Sequence, residues 1–153
     1  MRKLVIEKSA VKNNLAVIKE RAAGAVIYGV LSGDGGGAGI AALAQLLRDE
    51  GIGHFAVSEV SEAQALREAG FVDEEILMLR STTDREELER LVDLNAVCTI
   101  SSVDTGMALN ALAENRSTVV EAHIQVDTGM GFGGFLVGEP EKILLAYRSL
   151  PNV

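Results

Sequence analysis

Apolar positions along the chain fall into two rhythms that take turns. Val11, Leu15 and Ile18 recur at helical spacing within Ser9–Ala22, whereas Ala25–Leu31 (AVIYGVL) is a nearly unbroken apolar run that reads as a buried strand. A glycine-rich stretch, Ser32–Gly39, carries that strand into a helical pattern over Ile40–Glu50, with Gly51 just past its end. His54–Val57 predicts a second strand. Ser61 with Gln64 has capping-box spacing, opening a helix to Gly70. Ile76–Leu79 predicts a third strand, followed by a helix from a Thr83/Glu86 capping box to about Asp93. Ala96–Ile100 is the fourth strand, Ser102 caps a helix through Glu114, and Val119–Val126 is the fifth strand. Pro140 then sits in the first turn of a last helix ending near Ser149.

A leading helix and strict strand–helix alternation predict an α/β fold with a parallel sheet and right-handed crossovers. No linker-like segment divides the chain, so residues 1–153 read as a single domain. The fifth strand decides between an open sheet and a barrel. Val120, Ala122, Ile124 and Val126 make one face apolar, while Val119, Glu121, His123, Gln125 and Asp127 make the other mostly polar. An open sheet covered by helices on both sides would be apolar on both faces. A polar inner face suits a barrel with a site in its lumen, so the expected architecture is a partial TIM-type (βα) barrel of five strand–helix units. His123, Gln125 and Asp127 are then the lumen-facing candidates.

Composition narrows the function classes. The net charge of −8 argues against a phosphate-backbone partner, and the absence of Trp among few aromatics argues against a base-stacking platform. No stretch is long and apolar enough to span a membrane, and the first residues lack a signal-peptide pattern, so a cytoplasmic location is expected. Cys98, the single cysteine, lies in an apolar run and reads as a small buried hydrophobe.

Two glycine-rich loops carry the candidate chemistry. Gly33-Asp-Gly35-Gly-Gly-Ala38 matches the G-x-G-x-x-[GA] fingerprint between a strand and a helix, with Glu59 placed where a ribose-binding acid would stand. Backbone N–H groups there could cradle a pyrophosphate, which keeps a dinucleotide-binding open sheet as one alternative. Ser32 is no hydrolase nucleophile, because the nucleophile elbow needs Gly where Val30 stands. His54 and His123 lack metal-ligand spacing, and no metal is expected. The acidic groups at Asp73–Glu75 and Glu86-Glu87 suit solvated helix starts. The second loop, Asp127-Thr-Gly-Met-Gly-Phe-Gly-Gly-Phe135, follows the polar fifth strand, which puts both loops at one barrel mouth.

The residues Asn13-Asn14-Leu15, the stretch from His54 to Gly70 (HFAVSEVSEAQALREAG), the strand Ile76–Leu79 and His123-Ile-Gln-Val-Asp-Thr-Gly-Met-Gly131 resemble the N-terminal, barrel-forming part of the alanine racemase family. The resemblance covers nearly the whole chain. It implies a parental reaction, the interconversion of L- and D-alanine through an imine with pyridoxal phosphate. In that family the first strand ends in a motif like V-x-K-A-D-A-Y-G-H-G, whose Lys forms the imine and serves as a base and whose Tyr contacts the cofactor phosphate. Here the motif falls on Val30–Gly39, where Ser32 stands at the Lys position and Gly36 at the Tyr position. Asp34, Gly37 and Gly39 match. Gln125 stands where the family often has a Lys, and Phe132 where it has an Arg that contacts the cofactor ring.

These departures imply a silenced site. A hydroxyl cannot form an imine or act as an ammonium/amine pair, so the chain is expected neither to racemise nor to hold the cofactor covalently. Residues that shape the family's fold are kept and those that react are exchanged, the pattern of engineered silencing or of a pseudoenzyme. The family's eight-stranded barrel exceeds the five strands here, and its second base, a Tyr, comes from a partner subunit's C-terminal domain. Unpaired edges on the first and last strands predict pairing with another copy, which makes a self-associating, non-catalytic half-barrel the rival reading.

Overall fold

In a computed structural model, residues 4–153 are described, and their elements follow the expected alternation. In order they are α1 (Lys8–Ala22), β1 (Tyr28–Val30), α2 (Ser32–Gly37), α3 (Ile40–Asp49), β2 (His54–Val57), α4 (Val60–Glu68), β3 (Glu75–Met78), α5 (Arg85–Asp93), β4 (Cys98–Ile100), α6 (Val103–Asn115), β5 (Ala122–Ile124), β6 (Val126–Asp127), β7 (Phe135–Leu136) and α7 (Pro140–Ser149). The chain divides into two compact units, one ending at Ile76 and one starting at Leu77.

In the first unit β1 pairs parallel with β2, setting Tyr28 opposite His54 and Val30 opposite Ala56. The sheet order is β1-β2-β3, and the Glu75 N–H at the start of β3 donates to the Gly53 carbonyl at 3.2 Å. Phe55, Ala56 and Val57 of β2 are fully buried, as the continuous apolar run requires of a strand covered on both faces. Phe55 meets Phe71 edge-to-face at 5.6 Å, and the Arg48 guanidinium stacks 4.3 Å over the Phe71 ring while binding Glu74 at 3.1 Å. At the amino ends of the strands Tyr28 packs edge-on against His54 and its hydroxyl donates to Glu75. In α1 only Leu15 is buried, and Ile18 of the expected apolar face stays exposed.

In the second unit Leu77 bridges in parallel to Val97, and β4 pairs parallel with β5, Cys98 opposite Ala122 and Ile100 opposite Ile124. The Thr99 hydroxyl donates to the Met78 carbonyl at 2.6 Å. Leu88 and Leu91 of α5 and Leu109, Leu112 and Ala113 of α6 are buried. Ser102 caps α6 as expected, accepting from the Thr105 N–H at 3.2 Å.

Several boundaries differ from the pattern-based expectation: β1 covers only Tyr28–Val30 of the expected Ala25–Leu31, β4 only Cys98–Ile100 of Ala96–Ile100, and three further differences have a local cause. The capping box of α4 is formed by Glu59 and Glu62, not Ser61 and Gln64, because Glu59 holds the extended backbone of an N-cap. The cap of α5 is Asp84, which accepts from the Glu87 N–H at 2.9 Å; Thr83 lies one residue too early. The fifth strand is not continuous. Burial alternates from Val119 to Ile124 and then slips, leaving Gln125 and Asp127 half-buried and Val126 exposed. The ladder partner changes there: the Gln125 N–H donates to the Ile100 carbonyl at 2.8 Å, and its own carbonyl accepts from Phe135 at 2.9 Å. Beyond that residue β6 pairs with β7 rather than continuing alongside β4.

Candidate functional site

The candidate residues fall into two groups, one in each unit. Ser32 and Gly36 belong to the loop after β1, and His123, Gln125, Asp127 and Phe132 to β5 and the loop after β6.

The first loop is anchored by Leu31, fully buried, and Ile40. Between them Gly33, Asp34, Gly35 and Gly36 all have left-handed dihedrals, φ 54 to 67° and ψ 27 to 45°, so the chain makes a left-handed helical turn. For L-residues that hand costs about 1–2 kcal/mol each, and only Asp34 among the four carries a side chain. Asp34 compensates by accepting from the Ile40 N–H through Oδ1 at 2.8 Å, which caps the start of α3 from within the loop. A Cβ at Gly36 would meet nothing within 4 Å.

Ser32 is half-buried, and its hydroxyl lies 2.7 Å from that of Ser58, one residue past β2. Glu62, on the first turn of α4, ties the same two loops together. Its Oε1 accepts from Gly33 at 2.6 Å and Asp34 at 3.4 Å, and its Oε2 accepts from Ser58 at 3.0 Å and Glu59 at 3.1 Å. Ser58 and Glu62 were not among the residues singled out in the sequence. Their signal was present as Ser58-Glu59-x-x-Glu62 directly after an apolar strand, with the Glu59/Glu62 capping spacing two residues upstream of Ser61/Gln64. Glu59, aligned with a ribose-binding acid in the dinucleotide alternative, is the N-cap of α4.

In the second unit His123 sits in mid-β5 opposite Thr99, on the exposed side of the strand. Gln125, Asp127 and Phe132 are drawn together by a tight loop. The Gln125 amide reaches the Phe132 carbonyl at 3.5 Å, while the Phe132 ring is 79% exposed. Asp127 Oδ1 accepts from the Gly129 and Gly131 N–H groups at 2.8 and 3.1 Å. Those bonds, Gly129's foremost, hold its carboxyl below the ordinary carboxylate range. A Cβ on Gly134 would lie 2.9 Å from both the Asp127 nitrogen and the Gln125 oxygen, so the loop returns directly against the backbone of β6. Among the described residues no group of three or more His, Cys, Asp or Glu is placed to hold a metal ion, and no helix is long and apolar enough to cross a membrane.

Known proteins match this arrangement over almost its full length. The model of the alanine racemase N-terminal domain matches residues 6–153. An alanine racemase from Carboxydothermus hydrogenoformans is 33% identical over 133 residues, which is 87% of this chain and 36% of that protein. Among solved structures, an alanine racemase of Clostridium difficile 630 in complex with cycloserine superposes with a TM-score of 0.81 at 27% identity, covering 91% of this chain and 38% of that one. A histidine racemase from Leuconostoc mesenteroides subsp. sake reaches 0.83 at 25% identity, covering 95% and 39%. The chain thus spans well under half the length of the proteins it matches. Its fold class is the expected one, α/β with parallel strands, the partial (βα) barrel of these neighbours. The chain belongs to the alanine racemase family, in which it corresponds to the N-terminal domain.

Proposed function

We propose that residues 1–153 form the barrel part of an amino-acid racemase of this family, one in which the cofactor-anchoring position has been silenced. The observation that carries this reading is Ser32. Pyridoxal phosphate, when bound in the family, supplies an aldehyde that condenses with a lysine amine and an electron sink for a substrate carbanion. A hydroxyl offers neither imine formation nor a basic nitrogen, and here it is engaged with Ser58. Gly36 brings no hydroxyl to a phosphate, and Phe132 no cation to a pyridine ring. The residues at these positions therefore do not fit a covalently held cofactor.

What the chain's own residues do is structural and positional. Glu62 fixes the path of the first loop, Asp34 starts α3, and Asp127 organises the second loop. The substrate class that goes with this reading is a small amino acid, and the setting is cytoplasmic. Alanine and histidine racemases both share the fold, so the side chain accepted is left to the rest of the site.

Incubation with pyridoxal phosphate followed by borohydride tests the reading. No stoichiometric reduced adduct and no racemisation of alanine are expected. A stoichiometric adduct at one residue, or measurable racemisation, overturns it. A Ser32→Lys/Gly36→Tyr variant of the same 153 residues is expected to remain inactive, since five strand–helix units do not supply the family's whole site.

A second reading, self-association, is favoured by apolar surface in the second unit. Leu144, Leu145 and Tyr147 of α7 are exposed beside a groove of about 310 Å³ lined by Ile100, Ala122, Ile124, Ala146 and Leu150. Sedimentation equilibrium distinguishes it: a stable dimer mass supports the module and a monomer at high concentration opposes it.

A further inference from the structure

We propose that Glu62 is a latch on the glycine loop, and that its carboxylate holds the first residues of the left-handed turn, Gly33 and Asp34, against the start of α4. This goes beyond the family assignment and does not depend on whether the chain binds a cofactor.

The loop has little else to hold it. No residue of α2 is buried; Gly35 backs onto Leu43, 3.3 Å from where its Cβ would stand, but a Cβ at Gly33, Gly36 or Gly37 would meet nothing within 4 Å. A segment without side chains buries no apolar surface, and its many accessible backbone states favour opening. The Gly35 N–H donates to the carbonyl of buried Leu31 at 2.8 Å, which fixes the loop's root at the end of β1, whereas the Gly39 bond to the Asp34 carbonyl at 2.9 Å is internal and travels with the loop.

Asp34 Oδ1 ties the far side of the loop to the Ile40 N–H of α3 at 2.8 Å, and the bonds that fix its near side come from α4 and the end of β2. One is the Ser32–Ser58 hydroxyl pair. The others are the Gly33 and Asp34 N–H groups on Glu62 Oε1, the first as short as 2.6 Å, where the acceptor's charge strengthens them.

The division of labour within the carboxylate makes the latch separable from the helix cap. Oε1 serves the loop, and Oε2 serves Ser58 and Glu59 at the start of α4. Losing Oε1 frees two loop donors to find water. Losing Glu59's side chain disturbs α4 without touching them. Glu62 acts on position 32 only through this path, as a positioning residue: it sets where the residue after Ser32 goes and holds the backbone of Ser32's hydroxyl partner.

Amide hydrogen exchange on the 153-residue chain tests the proposal. In Glu62→Ala the amides of residues 33–39 are expected to exchange about tenfold faster or more, the scale of losing a hydrogen bond to a charged group. The amides of β1 and β2 should keep their protection. In Glu59→Ala the loop is expected to stay within about twofold of the parent. Glu62→Gln guards against loss of folding, because Gln at the third helical position still completes a capping box but has one acceptor oxygen to give. The loop should loosen in that variant while α4 stays protected. Unchanged loop exchange in both Glu62 variants overturns the latch, as does equal loosening in Glu59→Ala, which would make the loop a passive reporter of α4.

Discussion

The hydroxyls of Ser32 and Ser58 lie 2.7 Å apart and join the chain just past β1 to the chain just past β2. Each is half-buried, and each can donate or accept. The pair links the carboxyl ends of two adjacent strands.

Breaking that pair has a measurable cost. Ser58→Ala is expected to lower stability by about 1 kcal/mol, since one hydroxyl loses its partner and part of it is shielded from water. Urea unfolding checks this through a lower midpoint with an unchanged slope. The double change Ser32→Ala/Ser58→Ala should cost less than the sum of the two single changes.

Cys98 lies on β4 and is 3% exposed, and burial pushes its thiol up to about 11. The thiolate is the reactive form, so at pH 8 the folded chain should be inert to iodoacetamide or to an aromatic disulfide. In denaturant it should react stoichiometrically within minutes. Rapid labelling of the native chain would mean that β4 is open to solvent.

Gly134 combines a φ of 112° with backbone atoms 2.9 Å from where a Cβ would stand. Gly134→Ala is expected to cost about 1–3 kcal/mol of local strain. Because those atoms belong to Gln125 and Asp127, the loss should appear first as faster amide exchange over residues 126–136. Gly133→Ala, where nothing lies within 4 Å but φ is also positive, should be milder.

Asp127 gives a pH signature. Its folded carboxyl lies below the ordinary range because the Gly129 and Gly131 N–H groups bind the charged form. A depressed carboxyl favours the fold above its unfolded pKa, and that contribution is lost as pH falls through the folded value. The Gly129 and Gly131 amide resonances should therefore shift together on acidification, with a midpoint below that of a free aspartate. Asp127→Asn should abolish the shared transition.

The helices whose starts carry one unambiguous capping residue were readable: Ser102 before α6 and Pro140 at the head of α7 stand where the sequence put them. Where several polar residues crowd a helix start, spacing alone misplaces the cap. Ser58, Glu59, Ser61 and Glu62 all compete before α4, and the winner is set by which residue has extended backbone, which no residue type announces. The fifth strand was overrun for a related reason. Val126 continues the apolar alternation, but its ladder partner is Phe135, downstream in a loop that pattern alone leaves unpaired. The link of Gly33 and Asp34 to Glu62 is a long-range bond that local periodicity does not carry.

The turn at residues 33–36 has one further consequence. Glycine is achiral, so a glycine turn and its mirror image have the same intrinsic energy, and the residues themselves specify no hand. Asp34, the one stereocentre among the four, leans the other way by about 1–2 kcal/mol. Which enantiomorph the segment adopts is thus decided outside it, by Leu31, Ile40 and Glu62. Inverting that one centre, with D-aspartate at position 34, would turn a residue that resists the turn into one that selects it.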